Sequence, residues 1–183
     1  EHGDAALIRY AARYDQVELT PETLRVSTAE IDAAEHQLPD ELKTALRLAA
    51  ARIEAFHLRQ KEDSWLYAES GTVLGQLINP LDSVGLYIPG GKAAYPSTLL
   101  MNAIPARIAG VPRRVLCTPA RGGQALPPVI LFAARLAGIT EIYRIGGAQA
   151  IAAMALGTET IAPVDKITGP GNRYVTEAKR QVF

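Results

Sequence analysis

Residues 83–91 read SVGLYIPGG: Val84, Leu86, Tyr87 and Ile88 make a short apolar run that ends in Pro89-Gly90-Gly91. Such a run closed by a proline-glycine bend predicts a buried strand turning sharply at its carboxyl end. A helix is predicted over 98–109, and Gly110 stops it. The plan then recurs three times. Strand 114–118 leads through Gly122-Gly123 to helix 128–137, stopped by Gly138; strand 142–145 leads through Gly146-Gly147 to helix 148–156, stopped by Gly157; strand 164–167 leads through Gly169-Pro170-Gly171 to helix 172–182. Two helix endings, Ile108-Ala109-Gly110-Val111 and Leu136-Ala137-Gly138-Ile139, are near copies, as expected of glycines that take positive φ just past a helix. Parallel strands need crossovers, and right-handed crossovers through helices cover both faces of the sheet. The predicted class is therefore α/β, a parallel-sheet sandwich. Pro105 removes one amide from the first of these helices and predicts a kink there. Strand order is not set by the pattern.

In an open parallel sheet the ligand crevice lies beyond the carboxyl ends of the strands. Four loops are expected on that rim: Pro89-Gly90-Gly91, Pro119 to Gly123, Gly146-Gly147-Ala148-Gln149 and Gly169-Pro170-Gly171-Asn172. Glycines allow close approach of the backbone to a phosphate, and the helix starts that follow carry partial positive charge. The dinucleotide fingerprint is nonetheless incomplete, because Tyr174 stands where its third glycine belongs and no Walker motif or serine elbow is present. Three side chains fall on this rim. Tyr87, at the end of its strand, either covers a ring of the ligand or fills the core. Gln149 offers both donor and acceptor to a ribose or carboxamide, or else caps its helix. Asn172 binds ligand or serves as an N-cap.

The first third of the chain is helical and charged. Leu42, Leu46, Ala49, Ile53 and Phe56 recur at steps of four and three, predicting one long helix with a single apolar stripe. Ser27-Thr28-Ala29-Glu30 has the form of a capping box, and Thr20-Pro21-Glu22 puts proline at the first position of another helix. From Trp65 to Leu77 the pattern is strand-like, with Gly71 and Gly75 marking a turn or bulge.

Lys plus Arg and Asp plus Glu both number 19 in 183 residues, so no net charge draws the chain to nucleic acid or an anionic membrane. A small molecule or a second copy is the expected partner. The one cysteine, Cys117, sits in an apolar run and reads as a buried small hydrophobe in a reducing compartment. No apolar stretch reaches the ~18–20 residues of a membrane span and the start is too polar for a signal peptide, so a cytoplasmic location is expected.

The segments SVGLYIPGG, PARIAG, GGAQAIAAMALGTETI, VDKITGPGN and VTEAKRQVF, with IEAFHLRQ upstream, resemble the histidinol dehydrogenase family. The likeness runs from Gly3 to Phe183. It implies NAD-dependent oxidation of L-histidinol to L-histidine through an aldehyde-level intermediate, with bound zinc, by a homodimer. It also implies that Tyr87, Gln149 and Asn172 contact NAD. The implied fold is an incomplete Rossmann-like domain over 83–183, preceded over 1–82 by a helical segment and strands of a companion α/β domain. The resemblance further implies that the zinc ligands and the Glu-His pair that moves protons lie downstream of Phe183. On that basis the chain is expected to be part of a longer enzyme, inactive alone, with no catalytic or metal residue of its own. His2, His36 and His57 all precede the sheet and are expected on helices without metal-ligand spacing. A related dehydrogenase of another small polar alcohol, or a non-catalytic nucleotide-binding module, is the alternative.

Overall fold

A computed structural model describes residues 2–90, 93–120, 122–123 and 125–183. Gly91 of the first predicted loop and Arg121 of the second lie outside the described residues. Four parallel strands form the central sheet: β3 (Ser83–Tyr87), β4 (Arg113–Cys117), β5 (Glu141–Tyr143) and β6 (Lys166–Thr168), in the order β5-β4-β3-β6. The first strand to form along the chain is thus central, the next two add outward on one side, and the fourth returns to the other. This is the 3-2-1-4 part of the doubly wound Rossmann order 3-2-1-4-5-6, and its direction of winding reverses between β3 and β6. All of β3 is buried, as expected of the central strand of a sheet covered on both faces.

Helices α5 (Pro96–Ile108) and α6 (Pro128–Leu136) cover one face; α7 (Gly147–Leu156) and α8 (Arg173–Val182) cover the other. Both α5 and α6 open on proline, whose fixed φ suits a first helical turn. Helix α5 continues through Pro105 to Ile108, where Gly110 at φ +87 follows. Gly85 marks the tightest helix-on-sheet contact, because a Cβ there would come within 2.6 Å of the Met154 sulfur on α7. Leu86, Ile88, Leu116 and Ile142 are wholly buried, and each such side chain contributes about 1.5–3 kcal/mol of hydrophobic stabilisation.

The first third packs on this sandwich. Helix α1 (Gly3–Tyr10) continues in a π-helical turn and lies against α7; α3 (Thr28–Ala33) lies on α6; α4 (Asp40–Leu58) lies on α5. The short α2 (Pro21–Leu24) leads into an antiparallel bridge between Arg25 and Tyr143 that extends the β5 edge. The capping box forms as read, with Ser27 Oγ accepting from the Glu30 amide at 3.2 Å. The other Glu30 oxygen accepts from the buried Arg144 guanidinium, which also donates to the Thr23 and Arg25 carbonyls. Burial opposes ionisation of Glu30, but the bonds from Arg144 and Ser27 outweigh it and hold its pKa below the usual carboxylate range.

Two expectations change in detail. Of the α4 stripe only Leu46 is buried and Ala49 and Ile53 are half-buried; Leu42 and Phe56 are exposed. His2 occupies the position just before α1, outside the helix, where only its backbone carbonyl bonds, accepting from the Ala6 amide. Residues 65–77 resolve into a hairpin, β1 (Trp65–Glu69) and β2 (Thr72–Gln76), closed by Ser70 and Gly71 at φ +51 and +82. Positive φ at both turn residues is what a two-residue hairpin of type I′ requires. Every residue of the hairpin strands is exposed. Cys117 is buried, and burial pushes its thiol far above the ordinary value. Among the described residues no helix is long and apolar enough to cross a membrane.

Candidate functional site

The four strands are parallel, so the loops after them share one rim, and three contacts draw those loops together. First, the Gly147 amide at the start of α7 donates to the Tyr87 hydroxyl at 3.0 Å. Second, Gly169 lies so close to the end of β3 that an added Cβ would stand 2.0 Å from the Tyr87 carbonyl oxygen. Third, Pro119 wedges between Gly90 and Gly146, whose added Cβ atoms would meet its ring at 2.4 and 2.6 Å. The glycines here are required by closeness of approach, and Gly169 also by its φ of +115.

Tyr87 is buried, so its ring fills the core beneath the rim, and its hydroxyl joins β3 to α7. Gln149 is half-buried and its amide curls back over the turn: a Cβ on Gly147 would meet Gln149 Oε1 at 2.7 Å. Tyr87 and Gln149 therefore flank the same residue. Asn172 is exposed and is the N-cap of α8, its Oδ1 accepting from the Tyr174 and Val175 amides at 3.0 and 3.1 Å. It reaches the other two only through the Gly169-Pro170-Gly171 turn, which rests on Tyr87. The three residues thus share the rim at the switch between β3 and β6, without bonding one another directly.

Sequence reading missed a fourth element of this rim. Lys179 Nζ reaches back from α8 to donate to the Gly169 carbonyl at 2.6 Å. Its signal was a lysine on a helix face otherwise marked by Val175, Ala178 and Val182. Between the β3 and β4 ends lies a cavity of about 230 Å³ walled by Pro89, Gly90, Tyr95, Thr118 and Pro119. A larger groove of about 680 Å³, with His57, Gln60 and Leu81 in its wall, lies at the amino ends of the strands, so volume alone does not mark the rim.

The sequence model of histidinol dehydrogenase matches residues 1–183. The chain belongs to the histidinol dehydrogenase family. It is 58% identical over 182 residues to the histidinol dehydrogenases of Thermosynechococcus vestitus and Rhizobium meliloti, which takes in 99% of this chain and 42% of each relative. The enzyme of that name from Neisseria gonorrhoeae is 51% identical over 185 residues. The crystal structure of histidinol dehydrogenase from Elizabethkingia anophelis superposes with a TM-score of 0.93 at 46% identity, covering 98% of this chain and 41% of that one. The chain therefore spans about two fifths of the length of the family members it matches. The incomplete Rossmann-like sheet read from the sequence agrees with that neighbour's fold.

The described residues of the rim loops carry no charge of either sign. None of the described residues in the four loops is Asp or Glu. No carboxylate follows β4 either, the place from which a dinucleotide fold usually holds a ribose. For zinc the fit fails within this chain: among the described residues no three His, Cys, Asp or Glu side chains cluster to hold a metal ion.

Proposed function

We propose that the full-length protein is an NAD-dependent, zinc-requiring histidinol dehydrogenase that oxidises L-histidinol to L-histidine, and that this segment seats the cofactor. NAD supplies the hydride acceptor when bound. Tyr87 would form the wall against which a ring of the dinucleotide packs, Gln149 would hydrogen-bond a ribose or carboxamide, and the Asn172 amide group, whose oxygen caps α8, would donate from Nδ2. No step of the chemistry is assigned to residues of this chain. The zinc ligands and proton-moving groups are proposed to lie outside these 183 residues, as are the partner surfaces of a homodimer. The enzyme is proposed to be cytoplasmic.

The domain reading is also a proposal: 83–183 as the NAD-side unit, and 1–82 as part of a companion α/β domain. It is supported by the hairpin, where Trp65, Tyr67 and Leu74 fall on one face and Leu66 and Val73 on the other. A ribbon apolar on both faces suits a sheet covered on both sides better than a lone surface hairpin.

The observation that carries the function is the meeting of Tyr87, Gly147 and Gly169 at the reversal of strand order, in a chain 58% identical to named histidinol dehydrogenases. Gln149→Ala in the full-length protein is expected to raise the KM for NAD while zinc content, read by metal analysis, stays intact. Unchanged NAD kinetics would remove Gln149 from the seat.

A further inference from the structure

Lys179 stands on the inward side of its helix. In α8 the residues shielded from water are Val175, Ala178, Lys179 and Val182, and all the others are exposed. That is the stripe of an amphipathic surface helix with a cation set into it. Long lysine arms ordinarily lie along apolar surface and deliver the ammonium to water. Here the ammonium is delivered to a backbone carbonyl, Gly169 O, at 2.6 Å, and partial burial lowers its pKa.

The carbonyl it holds is distinctive. Ladder pairing between β3 and β6 ends at Leu86 and Thr168, so Gly169 is the first residue beyond it. At that residue the chain presses against Tyr87 with φ at +115. Three residues later Asn172 caps the helix. The Gly169-Pro170-Gly171 turn is thus held at its far end by the Asn172 cap and at its near end by Lys179, which reaches back along about two helical turns.

We propose that Lys179 is a positioning residue of the cofactor seat: by holding the Gly169 carbonyl it keeps the turn against the end of β3, and so fixes where Asn172 stands relative to Tyr87 and Gln149. The inference rests on the NAD reading given above. A charge-assisted bond to a carbonyl is stronger than a neutral one, and its loss leaves the near end of the turn held by its packing against Tyr87, with only the Asn172 cap at the far end.

The test uses the full-length protein with K179M, K179R and Gln149→Ala, read by calorimetric NAD affinity and by amide exchange of Gly171, Asn172 and Arg173 without NAD. K179M is expected to weaken NAD binding about ten-fold, the scale of one lost charge-assisted bond, and to speed exchange at the turn. K179R keeps a donor and is expected to hold NAD within about two-fold of the parent, which mere filling of space by the side chain would not predict. Unchanged affinity and exchange in K179M would overturn the proposal, as would K179R losing as much affinity as K179M. If K179M does not fold, K179R decides against the parent: NAD affinity within about two-fold supports the proposal and a loss of about ten-fold overturns it. Weakened NAD binding in Gln149→Ala but not in K179M overturns the role of Lys179 only. Faster exchange in K179M, with NAD affinity unchanged in both it and Gln149→Ala, overturns the cofactor reading and the proposal with it.

Discussion

Gly169→Ala probes the contact on which the rim depends. The added methyl would stand 2.0 Å from the Tyr87 carbonyl oxygen, 2.9 Å from its carbon and 3.1 Å from its nitrogen. All three are main-chain atoms of a strand paired with β4 on one side and β6 on the other, so none can swing aside as a side chain would. A non-glycine residue at φ +115 adds about 1–3 kcal/mol of backbone strain by itself. Restoring an ordinary contact distance requires the turn to retreat by more than about 1 Å, which draws Thr168 away from Leu86 at about 0.5–1.5 kcal/mol for each hydrogen bond lost. Together, with one ladder hydrogen bond lost, these give about 1.5–4.5 kcal/mol, a large part of the ~5–15 kcal/mol that holds a typical domain folded.

Gly122→Ala is the control. Its φ is also positive, at +64, but an added Cβ meets nothing within 4 Å, so it should cost only about 1–2 kcal/mol for the left-handed backbone. Urea unfolding followed by circular dichroism measures both, provided the slope against denaturant stays constant. Equal losses in the two variants would refute the close approach of the turn to β3, and with it the account of how Asn172 is brought to Tyr87.

Tyr87→Phe leaves the Gly147 amide without its acceptor at a part-buried position and is expected to cost about 1–3 kcal/mol; a urea midpoint equal to the parent's would remove the β3–α7 link from the argument. Burial, with Glu141 beside it, raises the Tyr143 phenol to about 12. The unfolded chain sheds that proton near pH ~10 while the folded protein keeps it, so stability is full below that pH and falls from there towards pH 12. Tyr143→Phe should flatten this part of a pH series of urea midpoints, and an unaltered slope would contradict it. Trp65 is the only tryptophan and 53% of its surface is exposed, so the fluorescence of this chain should be that of wet indole and open to acrylamide; a blue-shifted, shielded emission would show the hairpin already covered.

Much of this architecture was legible because each unit repeats the same local punctuation. The four strand-turn-helix units, the Ser27 capping box and the hairpin turn all follow from local residue chemistry. The misread boundaries are places where a distant segment competes for the backbone. The third strand, read as 142–145, ends at Tyr143, where pairing with β4 stops at Cys117, while residues 142 and 144 bond the segment from Leu24 to Val26 on the other edge. The fourth, read as 164–167, starts late because the Val164 amide bonds Met154 O and the Asp165 carboxylate accepts from the Ser83 amide and hydroxyl. Strand order stayed hidden for the same reason: β3 meets β6 across some eighty residues, and no local signal records that pairing. The rim residues were legible because loops after parallel strands must share one edge. Lys179 was not, because its meaning lies in which side of α8 is covered.

The missing dinucleotide fingerprint has a physical answer in the same contacts. In the Rossmann motif three glycines in one turn divide the work: a tight bend, close approach to the pyrophosphate, and packing of helix on strand. Here the packing function sits inside the strand, at Gly85 beneath Met154 of α7. Close approach between loop and strand falls to Gly169, three strands later in sequence, and the remaining loops close around Pro119 through Gly90 and Gly146. The first turn is thereby freed from the spaced triplet, so Tyr174 can occupy the position where the pattern in the last loop wanted glycine, on the exposed side of α8. A search for one glycine-rich turn fails on such a chain, because its glycines serve helix packing at Gly85 and loop-to-loop or loop-to-strand contact at Gly90, Gly146 and Gly169, from separate loops and strands.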